Sequence, residues 1–297
     1  MEESELQLWR SIGIKMAEQV GKAVSPLVGK KEADENIKMG ADGTPSKLID
    51  IVAEDEVIGV LESTSRPVTL ISEEIGILNI GQSSDENLNE YDLNSNSKSE
   101  SSDKQIIFVV DPLDGTTNAV KRIPIYGISI AIAEYIPGPE KPSLNDVKMG
   151  FVKNFATGEL YEAIKGRGAF LNGEKVYPSL ENELNRSSMG AFIYGTKFSQ
   201  VNNVCKMIRR MRILGSVAIE LSYVSNSTYD AFMDLRGNLR VVDVAAAKLI
   251  VEEAGGIITD QEGNDLNGLL NVSARTSIIA AGNKKLHQQI MKNMEVI

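Results

Sequence analysis

The chain has 297 residues, a formal charge of −10, 42% apolar residues, one cysteine and one histidine. That length holds one large domain or two modest ones with a sizeable core, and the acidic balance excludes a nucleic-acid surface, which needs basic patches against phosphate. Cys205 alone forms no internal disulfide and fits a reducing cytoplasm, while the acidic start Met1-Glu2-Glu3 and the lack of a membrane-length apolar run argue against export or insertion.

Residues 5–28 place Leu6, Trp9, Ile12, Met16, Val20 and Val24 at helical spacing, closed by Pro26 and Gly29. A Gly-rich loop over 39–43 follows. Thr44-Pro45 then reads as an N-cap with proline at the first helical position, opening a helix to about residue 62 on which Asp50 and Glu54 lie one turn apart. Val68-Thr69-Leu70-Ile71 is a short strand ending in Ser72-Glu73-Glu74. From about 81 to 104 the sequence is polar with almost nothing to bury, which predicts a flexible insertion without chemistry of its own.

Residues 106–118 carry the strongest signal. The β-branched run Ile106-Ile107-Phe108-Val109-Val110 ends in Asp111 and Asp114, followed by Gly115-Thr116-Thr117-Asn118. A buried strand that delivers two acids and then turns into a helix start suits a hard cation between the carboxylates and an anion at the helix N–H groups. Metal plus anion points to phosphate. The plain alternative is an acidic surface turn made by Asp-Pro and Asp-Gly.

Strands follow at 126–135, at 150–152 and 160–163 as a hairpin, and around 169–176. The last third alternates: strands at 188–194 and 211–214, a helix from Gly215 to about Val224, a strand at 229–233, a helix 243–253 stopped by Gly255-Gly256, strands at 257–259 and 277–281, and a closing helix 284–294. The predicted class is α/β (α+β), with an N-terminal α+β half over 1–187 and a C-terminal α/β half over 188–297. Asp243, after Val241-Val242, is a third acid behind an apolar run, or simply the N-cap of its helix. His287 reads as the exposed face of the closing helix, so histidine triads and histidine-rich zinc sites drop out.

Glu73-Glu74, Asp111-Pro112-Leu113-Asp114-Gly115-Thr116-Thr117-Asn118, and Asp243-Val244-Ala245-Ala246-Ala247 with Glu253-Ala254-Gly255-Gly256 resemble, in order and spacing, the three motifs of the inositol monophosphatase and fructose-1,6-bisphosphatase superfamily. The third is looser, because Val242 stands where many members carry tryptophan. Gly40-Ala41-Asp42-Gly43-Thr44-Pro45 and Lys121-Arg122-Ile123-Pro124-Ile125-Tyr126 are similar to the archaeal-type members that act on both fructose 1,6-bisphosphate and inositol monophosphate.

The resemblance implies a layered α-β-α-β-α sugar phosphatase fold, a homodimer, and a small-molecule sugar or polyol phosphate as substrate. It implies Mg²⁺, with one ion on Glu73, Asp111 and the Leu113 carbonyl, and a second on Asp111, Asp114 and Asp243. A weaker third ion would use Glu73 and Asp42. Catalysis would fall to Thr116, Asp50 and Glu73, the threonine and Asp50 orienting a water whose pKa the metal lowers. Gly115 and Thr116 would grip the phosphate; Ser216 and Val217 would approach the sugar hydroxyls. Arg236 lies about where inositol-specific members carry a glutamate, so Arg236, Arg212 and Tyr194 are candidates for a second phosphate, or else solvated charges and ion pairs. Two alternatives stand beside this one: a phosphatase of 3′-phosphoadenosine 5′-phosphate or NADP on the same fold, and a non-catalytic metal-binding regulatory protein.

Overall fold

Apolar stripes at helical spacing lay two helices against one face of a sheet. The first, α1 (Glu3–Val24), buries Trp9, Met16, Ala17 and Val20. It is followed by a small hairpin, β1 (Asn36–Met39) with β2 (Pro45–Lys47), and by α2 (Leu48–Glu62). The helix expected to open at Thr44-Pro45 opens at Leu48 instead. Pro45 pairs with Met39 at the start of an edge strand, where its missing N–H costs nothing. The computed structural model describes residues 1–41, 43–81, 104–196 and 198–294; Asp42 and most of the insertion expected at about 81–104 lie outside them.

The large sheet has eight strands: β3 (Val68–Ser72), β4 (Gly76–Ile80), β5 (Gln105–Asp114), β6 (Gly127–Tyr135), β7 (Val147–Asn154), β8 (Leu160–Ile164), β9 (Gly168–Leu171) and β10 (Glu174–Lys175). Its order is β10-β9-β8-β7-β6-β5-β3-β4, antiparallel throughout except for the parallel pair β3 and β5. A short helix, α3 (Thr116–Lys121), follows β5 directly. The alternation along β5 divides two cores: Ile106, Phe108 and Val110 face α1 and α2, while Ile107 and Val109 face the middle of the molecule. Trp9 meets Phe108 edge-on at 5.8 Å, which fixes α1 to the sheet.

The remaining elements are β11 (Ser188–Phe192), α4 (Phe198–Met207), β12 (Arg210–Arg212), α5 (Val217–Ser222), β13 (Ala231–Leu239), α6 (Val241–Ala254), β14 (Ile257–Thr259), β15 (Thr276–Ala281) and α7 (Lys284–Asn293). A second sheet runs β12-β11-β13-β15-β14. Between the sheets lie α5 and α6, and α6 is apolar nearly all round, as a helix covered on both sides must be. The outer face of the second sheet is covered by α4 and α7. The layers therefore read α-β-α-β-α. Sequence periodicity did not reveal α4 or β4, both short and mixed in polarity.

His287 is a correction. It is buried on α7, with Nε2 2.9 Å from Thr259 Oγ1. Because that hydroxyl donates to the Asp260 carbonyl, the imidazole Nε2 carries the hydrogen, and burial lowers the histidine pKa. The apolar face of α7 includes Leu286 and Ile290, and His287 rides inward beside them.

Candidate active site

Three elements end at one point. Glu73 follows β3 directly, Asp111 stands near the carboxyl end of the parallel neighbour β5, and Asp243 is the third residue of α6. Their carboxylate oxygens lie within 4.8 Å of one another. Among the described residues this is the group whose side chains could converge on a cation. Burial raises the pKa of Glu73 and Asp111 well above the carboxylate range; mutual repulsion adds to it and Arg240 opposes it. Asp243 is not the N-cap of α6. The helix starts two residues earlier, and Asp243 Oδ2 accepts the Arg240 N–H at 2.7 Å. Asp50 does the same at the start of α2, accepting the Lys47 N–H at 3.0 Å.

The bend that follows Asp111 is built by a bulge. Asp111 pairs with Ser129 and Asp114 with Gly127, so the extra residue at Pro112-Leu113 puts both acids opposite positions that share one face of β6. Proline is tolerated there because a bulge needs no ladder donor. Gly115 then turns at φ +87°, and a Cβ would stand 2.9 Å from the Ile125 carbonyl. Only glycine makes this turn comfortably. It delivers Thr116, whose hydroxyl lies 2.7 Å from Asp50 Oδ1 and 3.0 Å from the Leu113 carbonyl. Burial raises the pKa of Asp50; the Thr116 and Lys47 hydrogen bonds partly offset it.

Asp114 is engaged elsewhere. Its carboxylate accepts the Ser216 hydroxyl at 2.6 Å, the Ala218 N–H at 2.7 Å and the Val217 N–H at 3.3 Å, closing the start of α5. Burial pushes its pKa up to about 6 against these bonds. Ser216 and Val217 are thus brought to the acids, through Asp114. Two residues to which the motifs gave no role shape this turn, Glu220 outside them and Asn118 at the end of the middle one. Glu220 accepts the Leu214 and Gly215 N–H groups at 2.8 and 2.9 Å, and Asn118 donates to the Ile125 and Leu214 carbonyls at 2.7 and 2.8 Å. A glutamate alone in the apolar run 217–224 was the available signal for the first.

On the second sheet, Arg236 and Tyr194 meet: the guanidinium donates to the phenol oxygen at 2.5 Å and stacks over Phe192 and Tyr194 at 4.6 and 4.9 Å. The same guanidinium forks onto Asp234, whose side chain is fully buried. Arg212 is exposed and sits 6.0 Å over the Tyr229 ring. Arg240, which the motifs also passed over, pairs with both Glu73 and Asp243. Glu253 of the third motif serves the scaffold, accepting the Gly166 and Gly168 N–H groups at 2.7 and 2.8 Å.

Residues 5–297 match the model of the inositol monophosphatase family. The chain belongs to that family. It is a phosphatase, and its fold is that of its relatives. A fructose-1,6-bisphosphatase/inositol-1-monophosphatase of Methanothermobacter thermautotrophicus is 61% identical over 297 residues, covering 100% of both chains. A bifunctional NADP phosphatase/NAD kinase of Methanocaldococcus jannaschii is 37% identical, covering 94% of this chain and 49% of the relative. A solved Pyrococcus horikoshii protein with similarities to inositol-1 monophosphatase superposes with a TM-score of 0.76 at 29% identity, covering 98% of this chain and 99% of that one. No helix among the described residues is long and apolar enough to cross a membrane.

Proposed function

We propose that this phosphatase hydrolyses fructose 1,6-bisphosphate and inositol 1-phosphate with Mg²⁺, by direct attack of water. The observation that carries the reading is the Thr116–Asp50 hydrogen bond beside three converging carboxylates. An all-oxygen, acidic donor set suits a hard cation, whose charge would offset the mutual repulsion of Glu73 and Asp111. Glu73, Asp111 and Asp243 would hold Mg²⁺, with the Leu113 carbonyl and Asp114 completing two sites. The Asp114 carboxylate would then share its oxygens with α5. When bound, the ion would offset phosphate charge and make water more acidic.

The chain's own groups supply orientation and a proton path. With its hydrogen directed at Asp50, Thr116 Oγ1 keeps lone pairs for a water hydrogen, and Asp50, its pKa raised by burial, is suited to receive a proton through the threonine. The N–H groups of Gly115 and Thr116 would hold phosphate oxygens. A homodimer and a cytoplasmic setting belong to the same reading.

Phosphate release from fructose 1,6-bisphosphate and inositol 1-phosphate, measured side by side with Mg²⁺ and with EDTA, tests it. Metal-dependent release from both is expected; release undiminished by EDTA removes the metal. A second reading, NADP as substrate, is supported by the 37% identical relative whose name includes NADP phosphatase. Activity confined to NADP in the same assay would favour it.

A further inference from the structure

Arg240 stands at the N-cap position of α6, three residues before Asp243, and has no part in the reading above. Its backbone N–H and its Nη2 both reach Asp243, at 2.7 and 2.8 Å, and its Nη1 pairs with Glu73 Oε2. The side chain is 19% exposed, and those of its partners are 13% and 10% exposed. Burial alone would lower the pKa of the guanidinium, yet Asp243, Glu73 and Asp111 together hold it above its ordinary value. The group is therefore a fixed positive charge. It is directed at two of the three converging carboxylates, Asp111 being the third.

A divalent cation drawing on Glu73 and Asp243 must share oxygens with that guanidinium, and like charges at this range repel. Each acid has two oxygens, but Arg240 already touches one on Glu73 and both on Asp243. We propose that Arg240 is a built-in counter-cation of the acidic cluster. It competes with the divalent ion for Glu73 and Asp243, and so sets how much Mg²⁺ the enzyme needs. This rests on the metal-dependent reading. It differs from a positioning role, in which Arg240 would hold the ligands ready and its loss would weaken binding.

The two roles predict opposite signs. Chelator-stripped wild-type, Arg240→Gln and Arg240→Lys proteins are titrated with Mn²⁺, free ion being read by electron paramagnetic resonance, and melted in EDTA. Competition predicts that Arg240→Gln binds Mn²⁺ at least tenfold more tightly than wild type and melts at a lower temperature in EDTA, because the acids then repel without relief. Arg240→Lys, which keeps the charge, stays within a few-fold of wild type. Equal or weaker binding by Arg240→Gln overturns the proposal. Should that variant not fold, crystal structures of the wild type with and without Mn²⁺ decide. Loss of the Arg240–Glu73 pair on loading supports competition, and both pairs intact around a bound ion overturn it. Binding by the variant but not by wild type also supports it, whereas no binding by either ends the metal-dependent reading along with it.

Discussion

Thr116 Oγ1 on α3 lies 2.7 Å from Asp50 Oδ1 on α2, across 66 residues of sequence. The bond joins the first residue of the short helix after the acidic strand to α2, and both helices pack into the core on one face of that strand. Thr116→Val is expected to lower kcat by about 10²- to 10⁴-fold, with about 1–3 kcal/mol of destabilisation because buried Asp50 loses its hydroxyl partner. Thr116→Ser should retain most activity. Asp50→Asn is the less clean variant, since one amide oxygen cannot serve both Thr116 and the Lys47 N–H, at a cost of about 1 kcal/mol to the helix start.

Asp114→Asn looks nearly isosteric from the sequence, which predicts lost turnover with an intact fold. The structure changes that expectation. Asp114 accepts three hydrogen bonds at the head of α5, and an asparagine has a single acceptor oxygen. Loss of turnover should come with about 2 kcal/mol of destabilisation, or roughly 4 °C in melting temperature. Calorimetry beside the phosphate assay checks both. An unchanged melting temperature would mean that α5 does not depend on this carboxylate.

Arg236 is the residue on which a second-phosphate contact rests, and it already neutralises buried Asp234. Arg236→Met alone should cost about 3–5 kcal/mol by stranding that charge, which would mask any effect on substrate. The double variant Asp234→Asn/Arg236→Met removes both charges. Its stability should recover most of the loss. If Arg236 contacts a second phosphate, the double variant raises KM for fructose 1,6-bisphosphate and not for inositol 1-phosphate. Equal effects on the two substrates leave the arginine a structural ion pair.

Glu220 is fully buried, and burial pushes its pKa up to about 7 against its backbone and Tyr229 hydrogen bonds. A carboxyl raised in the fold favours the protonated form. Its contribution to stability is fully present below the unfolded value near 4.5 and is lost as pH rises through about 7. The slope is at most about 1.4 kcal/mol per pH unit for one group. Glu54, also pushed to about 7 by burial, adds in the same direction. Urea unfolding of wild type and Glu220→Gln at intervals across this window should show a shallower pH dependence in the variant. Parallel curves would assign the slope to the other buried carboxyls whose pKa is raised, Glu54 and Asp114 among them, and not to Glu220.

Much of the candidate site was legible in the chain because its signals are local. An apolar strand ending in Asp111 and Asp114, a second ending in Glu73, and Asp243 at the head of an apolar helix each stand out within a dozen residues. The fold class follows from the same periodicities, since burial on both faces writes itself into β5 and α6 as apolar runs. Helix starts were less secure. At Pro45 strand pairing prevailed over a proline that suits a helix, and Asp243 lies in the first turn of its helix, with Arg240 at the N-cap position.

What the sequence determined by itself is the inventory: which acids, which hydroxyl and which glycine turn, because residue type and short spacing fix those. Partnership came only with tertiary structure. The bulge at Pro112-Leu113 turns Asp114 toward α5, Glu220 and Asn118 set the turn before that helix, and Arg240 is brought onto Glu73. The Asn118, Asp114 and Arg240 pairings join residues from about a hundred to more than a hundred and fifty positions apart, whereas Glu220 reaches back only five, to Gly215. A buried charge is neutralised by whichever opposite charge the packing of layers brings within reach, and no local pattern of residues encodes that distance.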